Sequence, residues 1–249
     1  MDQFPDYPDL AADPARQKLT LRHALTMTLG TERDELSIPY TDPRNSEIAM
    51  DRAPDRFRYI LERRVVGEPG ERWTYCGGAA ALLARLIVRG TGQTLEDYAQ
   101  SALFTPLSIA HAEWDRDKRG EPIAASGLRI TPRSLARIGV MALAGGKWDG
   151  RQVVPADWLT ASFTAAVSIP DGRRFGQHWY LGAVNRDDGS GGVRWEPAIT
   201  AIGNGGQRLF LLPDLDLVVV VTAGNYDVFG HWQPPLVVVR DVLLPALRS

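Results

Sequence analysis

The order of elements predicts an α+β fold in which helices lead, antiparallel strands follow and a helix closes the chain. Three features point that way. Capped, apolar-striped helical segments fill residues 19–165, and short β-rich runs broken by Gly, Pro and Asp begin only after Gly172. Pro213 to Asp216 is also short enough to join the last two runs as antiparallel neighbours. No internal repeat or low-complexity linker interrupts the sequence. Residues 1–249 therefore read as one domain, mostly helical over 19–165, with antiparallel strands and the closing helix over 172–249.

Leu19 to Leu29 has helical spacing, with Thr20 as N-cap and Gly30 placed for a left-handed C-terminal residue. Glu32 to Pro54 is rich in Asp, Pro and Ser and has little period, so a long surface excursion of the kind that carries binding contacts is expected. From Gly78 to Arg89, Leu82, Leu83, Leu86 and Ile87 form an apolar stripe and Gly90 is placed to stop the helix. Thr94 and Asp97 match a capping box ahead of Tyr98 to Phe104, and Pro106 ends that element. Thr131 and Pro132 are an N-cap and first-turn pair for a helix through Leu135, Ile138 and Ala142, broken by Gly145 and Gly146. Pro155 opens a further short helix. Phe175 to Leu181, Arg208 to Leu212 and Leu217 to Thr222 are the expected strands. Pro234 to Leu247 is ambiguous, because Val237 to Val239 favours a strand; the length and the spacing of Leu236, Arg240, Leu243 and Leu247 favour a helix.

With 249 residues, 44% hydrophobic and 23% charged, the chain can bury a sizeable core. A formal net charge of -2 gives no basic surface for nucleic acid or an anionic membrane. Cys76 is the single cysteine, so an intrachain disulfide is impossible. The opening stretch to Lys18 is acidic and proline-broken, unlike a secretory signal, and Leu217 to Val221 is far too short to span a bilayer. The sequence as it stands is of cytoplasmic type, and oligomeric state is not legible in it.

Generic catalytic signatures are missing: the sequence holds no H-E-x-x-H, C-x-x-C, G-x-S-x-G or Walker loop. His23, His111, His178 and His231 are scattered without ligand spacing, so no metal or other cofactor is called for. Gly203-Asn204-Gly205-Gly206 leads into a strand and is read as a turn or close backbone approach rather than a phosphate cradle.

The succession of four segments resembles the β-lactamase-related serine hydrolases, the superfamily of penicillin-binding proteins and class C β-lactamases. Residues 20–30, TLRHALTMTLG, resemble that family's "TIRHLLTHTSG" element. Residues 69–77, PGERWTYCG, resemble "PGxxFxYSN", and Ala125 to Leu128 with Pro132 to Ile138 resembles "SGL...PxDLAR". Residues 205–222, GGQRLFLLPDLDLVVVVT, resemble the strand pair near the end of the domain. The resemblance implies a β-lactamase/transpeptidase-like fold, an antiparallel sheet flanked by helices with a mostly helical lobe. It also implies acyl transfer on a small-molecule ester or amide. In this family a serine attacks the carbonyl, a lysine one turn later shares its proton, and a tyrosine completes the relay. By position that tyrosine is Tyr75, although a buried tyrosine packing beside Trp73 is the plain structural alternative. By the same resemblance, substrate would meet Ala201, Gly203 and Asn204.

Three departures qualify this picture. Gly77 stands where the second motif ends in asparagine. Ala201-Ile202-Gly203 replaces K-T-G or H-x-G, which favours an esterase or amidase over a β-lactamase. The only lysines are Lys18, Lys118 and Lys147, with Ala15, Asp115 and Ala144 three residues before them, so S-x-x-K is absent. The nucleophile helix and two strands of the sheet are therefore expected upstream of Met1, and the chain is expected to be inactive as written. A non-catalytic binding or regulatory module derived from such an enzyme is the alternative.

Overall fold

Helix caps written into the sequence organise the first part of the molecule. The computed structural model describes residues 1–187 and 192–247, and the chain divides into two units that meet between Arg129 and Ile130. The first unit opens with two helical turns, α1 (Pro8–Ala11) and α2 (Pro14–Gln17), followed by α3 (Leu21–Leu25). Thr20 caps α3 as expected: its hydroxyl accepts the His23 N–H, and His23 Nδ1 accepts the Thr20 N–H in return. The helix stops at Leu25 rather than Leu29. Thr26 donates its hydroxyl to the Arg22 carbonyl at 2.8 Å, and Met27 turns to a φ of 54°.

The stretch expected as a surface excursion contains a helix, α4 (Ser46–Arg52). Asn45 is fully buried, accepts the Glu47 N–H at 2.9 Å and donates to the Ile38 carbonyl at 2.6 Å. Met50 then packs with Phe57, Ile60 and Leu61 of α5 (Arg56–Glu62) and with Ala81 and Leu82 of α6 (Gly77–Thr91). α6 runs past Gly90 and ends at Gly92, whose φ of 70° is the left-handed cap. Thr94 caps α7 (Leu95–Ala99), which continues as a π-turn to Phe104. A two-stranded sheet of β1 (Ala112–Trp114) and β2 (Leu128–Ile130), not expected from the sequence, follows.

In the second unit, α8 (Pro132–Leu143) and α9 (Ala156–Ser162) fold with the strands rather than with the preceding helices. Thr131 caps α8 through the Ser134 N–H. Gly139 explains how the helix docks: a Cβ there would lie 2.6 Å from Val218 Cγ1 and 2.8 Å from Leu209 Cδ1. Between these helices lies the small hairpin of β3 (Lys147–Trp148) and β4 (Arg151–Gln152). The main sheet is antiparallel with order β10-β9-β8-β7-β6-β5. Its strands are β5 (Val167–Ser168), β6 (Arg174–Phe175), β7 (Tyr180–Asp187), β8 (Val193–Gly203), β9 (Gln207–Leu212) and β10 (Leu217–Val221).

The run Phe175 to Leu181 is not one strand: His178, at a φ of 61°, turns the chain so that Phe175 pairs with Tyr180. The join at Pro213 to Asp216 is as expected, with Leu217 opposite Leu212. One sheet face sets Phe210, Leu212 and Val219 against Val239 and Leu244, and the other sets Leu209 and Leu211 against Ala142 and Leu159. The closing segment is helical throughout, as α10 (Gln233–Val237), a π-turn (Val238–Leu243) and α11 (Leu244–Ala246).

Candidate active site

The first two family-like elements are stitched together by main-chain hydrogen bonds. Thr74 N–H donates to the Met27 carbonyl at 2.9 Å, Gly70 N–H to Thr28 at 2.8 Å and Val66 N–H to Gly30 at 2.8 Å. Gly30 keeps the left-handed conformation expected of it, but for this contact: a Cβ there would fall 2.5 Å from the Gly67 carbonyl oxygen. Tyr75 sits on the extended stretch leading into α6, half-buried, its ring centroid 6.3 Å from that of Trp73. Cys76 is the N-cap of α6, its Sγ accepting the Ala79 N–H at 3.0 Å.

Behind Tyr75 lies a group of buried charges with no signature in the sequence. Gly77 N–H donates to Glu35 Oε2 at 2.7 Å, and Arg33 Nη1 contacts Glu35 Oε1 at 3.3 Å and Cys76 Sγ at 2.5 Å. Glu47 lies beside them on α4, with Asp51 one turn further on. Arg56 pairs with Asp117 at 3.0 Å and Asp51 at 3.6 Å. Burial pushes the Glu35 and Asp51 carboxyls above their usual range, and burial with the Glu35 charge pushes Glu47 up to about 7.

Ala201, Gly203 and Asn204 lie together in the second unit, at the end of β8 and in the turn after it, where Ala201 faces Leu209 and Gly203 faces Gln207. Ala201 packs into the apolar cluster around Leu209 and Leu211. The Gly203-to-Gly206 segment is the turn expected: Asn204 accepts the Gly205 N–H and donates to Asp227 at 3.1 Å, and Gly205 has a φ of 77° beneath the Tyr226 ring. Arg208, which the sequence did not single out for chemistry, is buried here. It donates to the Gly203 carbonyl at 3.0 Å and the Gln207 carbonyl at 2.7 Å. Burial, and then the Arg173 charge, lower its pKa to about 10. Tyr75 belongs to the first unit and these residues to the second. Among the described residues no group of three His, Cys, Asp or Glu side chains could hold a metal ion, and no helix is long and apolar enough to cross a membrane.

The sequence profile of the Beta-lactamase family matches residues 5–228. The chain belongs to that family. Two relatives of this β-lactamase-family chain are named for hydrolysis. It is 28% identical to the 6-aminohexanoate-dimer hydrolase of Paenarthrobacter ureafaciens over 72% of this chain and 46% of that protein. It is 27% identical to the lovastatin esterase of Penicillium rubens, over 54% of this chain and 33% of that protein. The chain thus spans less than half the length of these curated relatives. A solved structure from Bacillus anthracis, described as a 6-aminohexanoate-dimer hydrolase, superposes with a TM-score of 0.76 at 17% identity, covering 98% of this chain and 66% of that one. That likeness establishes the β-lactamase/transpeptidase-like fold.

Proposed function

We propose that this chain carries part of a serine-hydrolase acyl-transfer machinery acting on a small ester or amide, of esterase, amidase or transpeptidase type, with Tyr75 as its proton-handling group. The placement of Tyr75 supports this best. It is half-buried at the entrance to a long helix, on a stretch bonded through Thr74 to the 20–30 element. In this reading Tyr75 takes the proton of an attacking serine and returns it to the leaving group. In the second unit, Gly203 with Ala201 and Asn204 is proposed, on the family resemblance, as a substrate-contacting stretch. Relatives named for amide and ester hydrolysis agree with that substrate class.

S-x-x-K is absent from these residues, so the chain alone is expected not to turn over. The same absence favours a second reading, a binding or regulatory module that keeps the fold without the chemistry. The intact mass of the protein from its natural source separates the two. A mass above that of 249 residues, with hydrolysis of an activated ester slowed about a hundredfold or more by Tyr75→Phe, supports the enzyme. An unchanged rate in Tyr75→Phe would remove Tyr75 from the mechanism. A mass matching this sequence, with no hydrolysis, favours the binding module.

A further inference from the structure

Glu35 and Glu47 are only 2% and 8% exposed, and both reach the first residue of α6. A side chain begun at Gly77 would place its first carbon 3.2 Å from Glu47 Oε2 and 3.3 Å from Glu35 Oε2 and Ala125 Cβ. The two carboxyls therefore border the space that belongs to an asparagine side chain in the family's second motif. They are not equally served. Glu35 accepts the Gly77 N–H and faces the Arg33 guanidinium. The Glu47 carboxyl takes no hydrogen bond or ion pair among the described residues.

The charged groups around this acid can be followed element by element. Asp51 lies on its own helix, and Arg56 on α5 is engaged by Asp51 and Asp117. Glu35 and Arg33, from the segment before α4, form an ion pair with each other, and that guanidinium also reaches Cys76 Sγ at the start of α6. With Arg33 paired to Glu35, a charge on Glu47 would sit buried beside a like charge, which favours its protonated form.

We propose that Glu35 and Glu47 form an acid pair whose exchangeable proton sits on Glu47, and that this pair replaces the motif's asparagine in positioning Tyr75, Cys76 and Gly77. The positioning half rests on the role proposed above for Tyr75; the proton does not. Burial first, then the Glu35 and Asp51 charges, push the Glu47 carboxyl up to about 7, all in the same direction. Only Glu35 has groups pulling the other way, the Gly77 N–H and Arg33. The proton therefore belongs on Glu47.

The folded chain keeps a proton that the unfolded chain releases near the ordinary value of 4.5, so the stabilisation is complete below that pH and is lost as the pH rises through about 7. The test is carbon-13 NMR of the wild-type chain, with the glutamate carboxyls and the Tyr75 ring carbon that bears the hydroxyl labelled and assigned. The Glu47 carboxyl is expected to titrate near 7, with the Tyr75 carbon shifting at the same midpoint. In Glu47→Gln the Tyr75 inflection is expected to vanish. The ratio of wild-type to variant unfolding constants is expected to rise about a hundredfold between acid and mildly alkaline pH.

Titration of Glu47 below about pH 5.5 would overturn the shared proton. A Tyr75 signal indifferent to the Glu47 titration would overturn the positioning role. If Glu47→Gln does not fold, the wild-type titration decides alone. None of these readouts uses catalysis, so an unaffected Tyr75→Phe hydrolysis rate would sink the proposed function and leave this result standing.

Discussion

The Gly77 end of α6 and the Gly203 end of β8 both hide charge, and they hide it differently. At the first, carboxyls outnumber the guanidinium they face: Arg33 pairs with Glu35, while Glu47 stands beside them without a cation of its own. At the second, the buried Arg208 guanidinium is met by two main-chain carbonyls. A carboxyl can shed its charge near neutral pH by taking a proton. A guanidinium lowered to about 10 cannot, so it needs oxygen atoms in fixed places. The first end should therefore respond to pH, and the second to the loss of hydrogen-bonding atoms at any pH.

The largest expected effect tests the first end. Glu35→Ala removes the partner of an Arg33 side chain that is 4% exposed, and with it the acceptor of the Gly77 N–H. Urea unfolding at neutral pH is expected to show a loss of about 3–5 kcal/mol, the usual consequence of stranding a buried charge. A loss below about 1 kcal/mol would mean that Arg33 re-pairs, with Glu47 the nearest candidate, and the two ends would then be less different than they look.

Arg208→Met keeps much of the volume at the second end and deletes its donors. The Gly203 and Gln207 carbonyls lose a charged partner, for an expected cost of about 1.5–3 kcal/mol. Because Arg208 remains protonated well above neutrality, the cost should be the same from about pH 5 to about pH 8. Comparing the pH profiles sets the two ends side by side: Arg208→Met is expected to be flat and Glu47→Gln steep.

The same contrast shows what the sequence could and could not disclose. Thr20 and Thr131 were legible as caps, and Leu209 to Val221 as paired strands, because caps and short joins are local patterns. Tyr75 was proposed only through resemblance, since nothing in its immediate spacing singles it out. Glu35 and Glu47 were hidden inside a stretch without period, because what gives them meaning is distant in sequence: Glu35 accepts a backbone N–H 42 positions away. The pairing of β7 with β8 was missed for a related reason. Arg194, Trp195 and Pro197 of β8 are exposed, so no long apolar alternation advertises the strand. The false strand across Phe175 to Leu181 arose because a β-rich composition carries no sign of the left-handed turn at His178.

The smallest effect sharpens the comparison within the first end itself. Cys76 is fully buried among the same charges, and burial pushes its thiol up to about 11, so it keeps its proton where Glu47 is changing state. Its part is then that of a cap, accepting the Ala79 N–H at 3.0 Å. Cys76→Ala should cost about 1 kcal/mol, as loss of a helix cap does, with no dependence on pH between about 5 and about 8. In the native chain the thiol should react with an alkylating reagent far more slowly than in urea. A cost that grew as the pH rose through about 7 would show the thiol coupled to the proton on Glu47, and the cap and the acid pair would then have to be treated as one titrating unit.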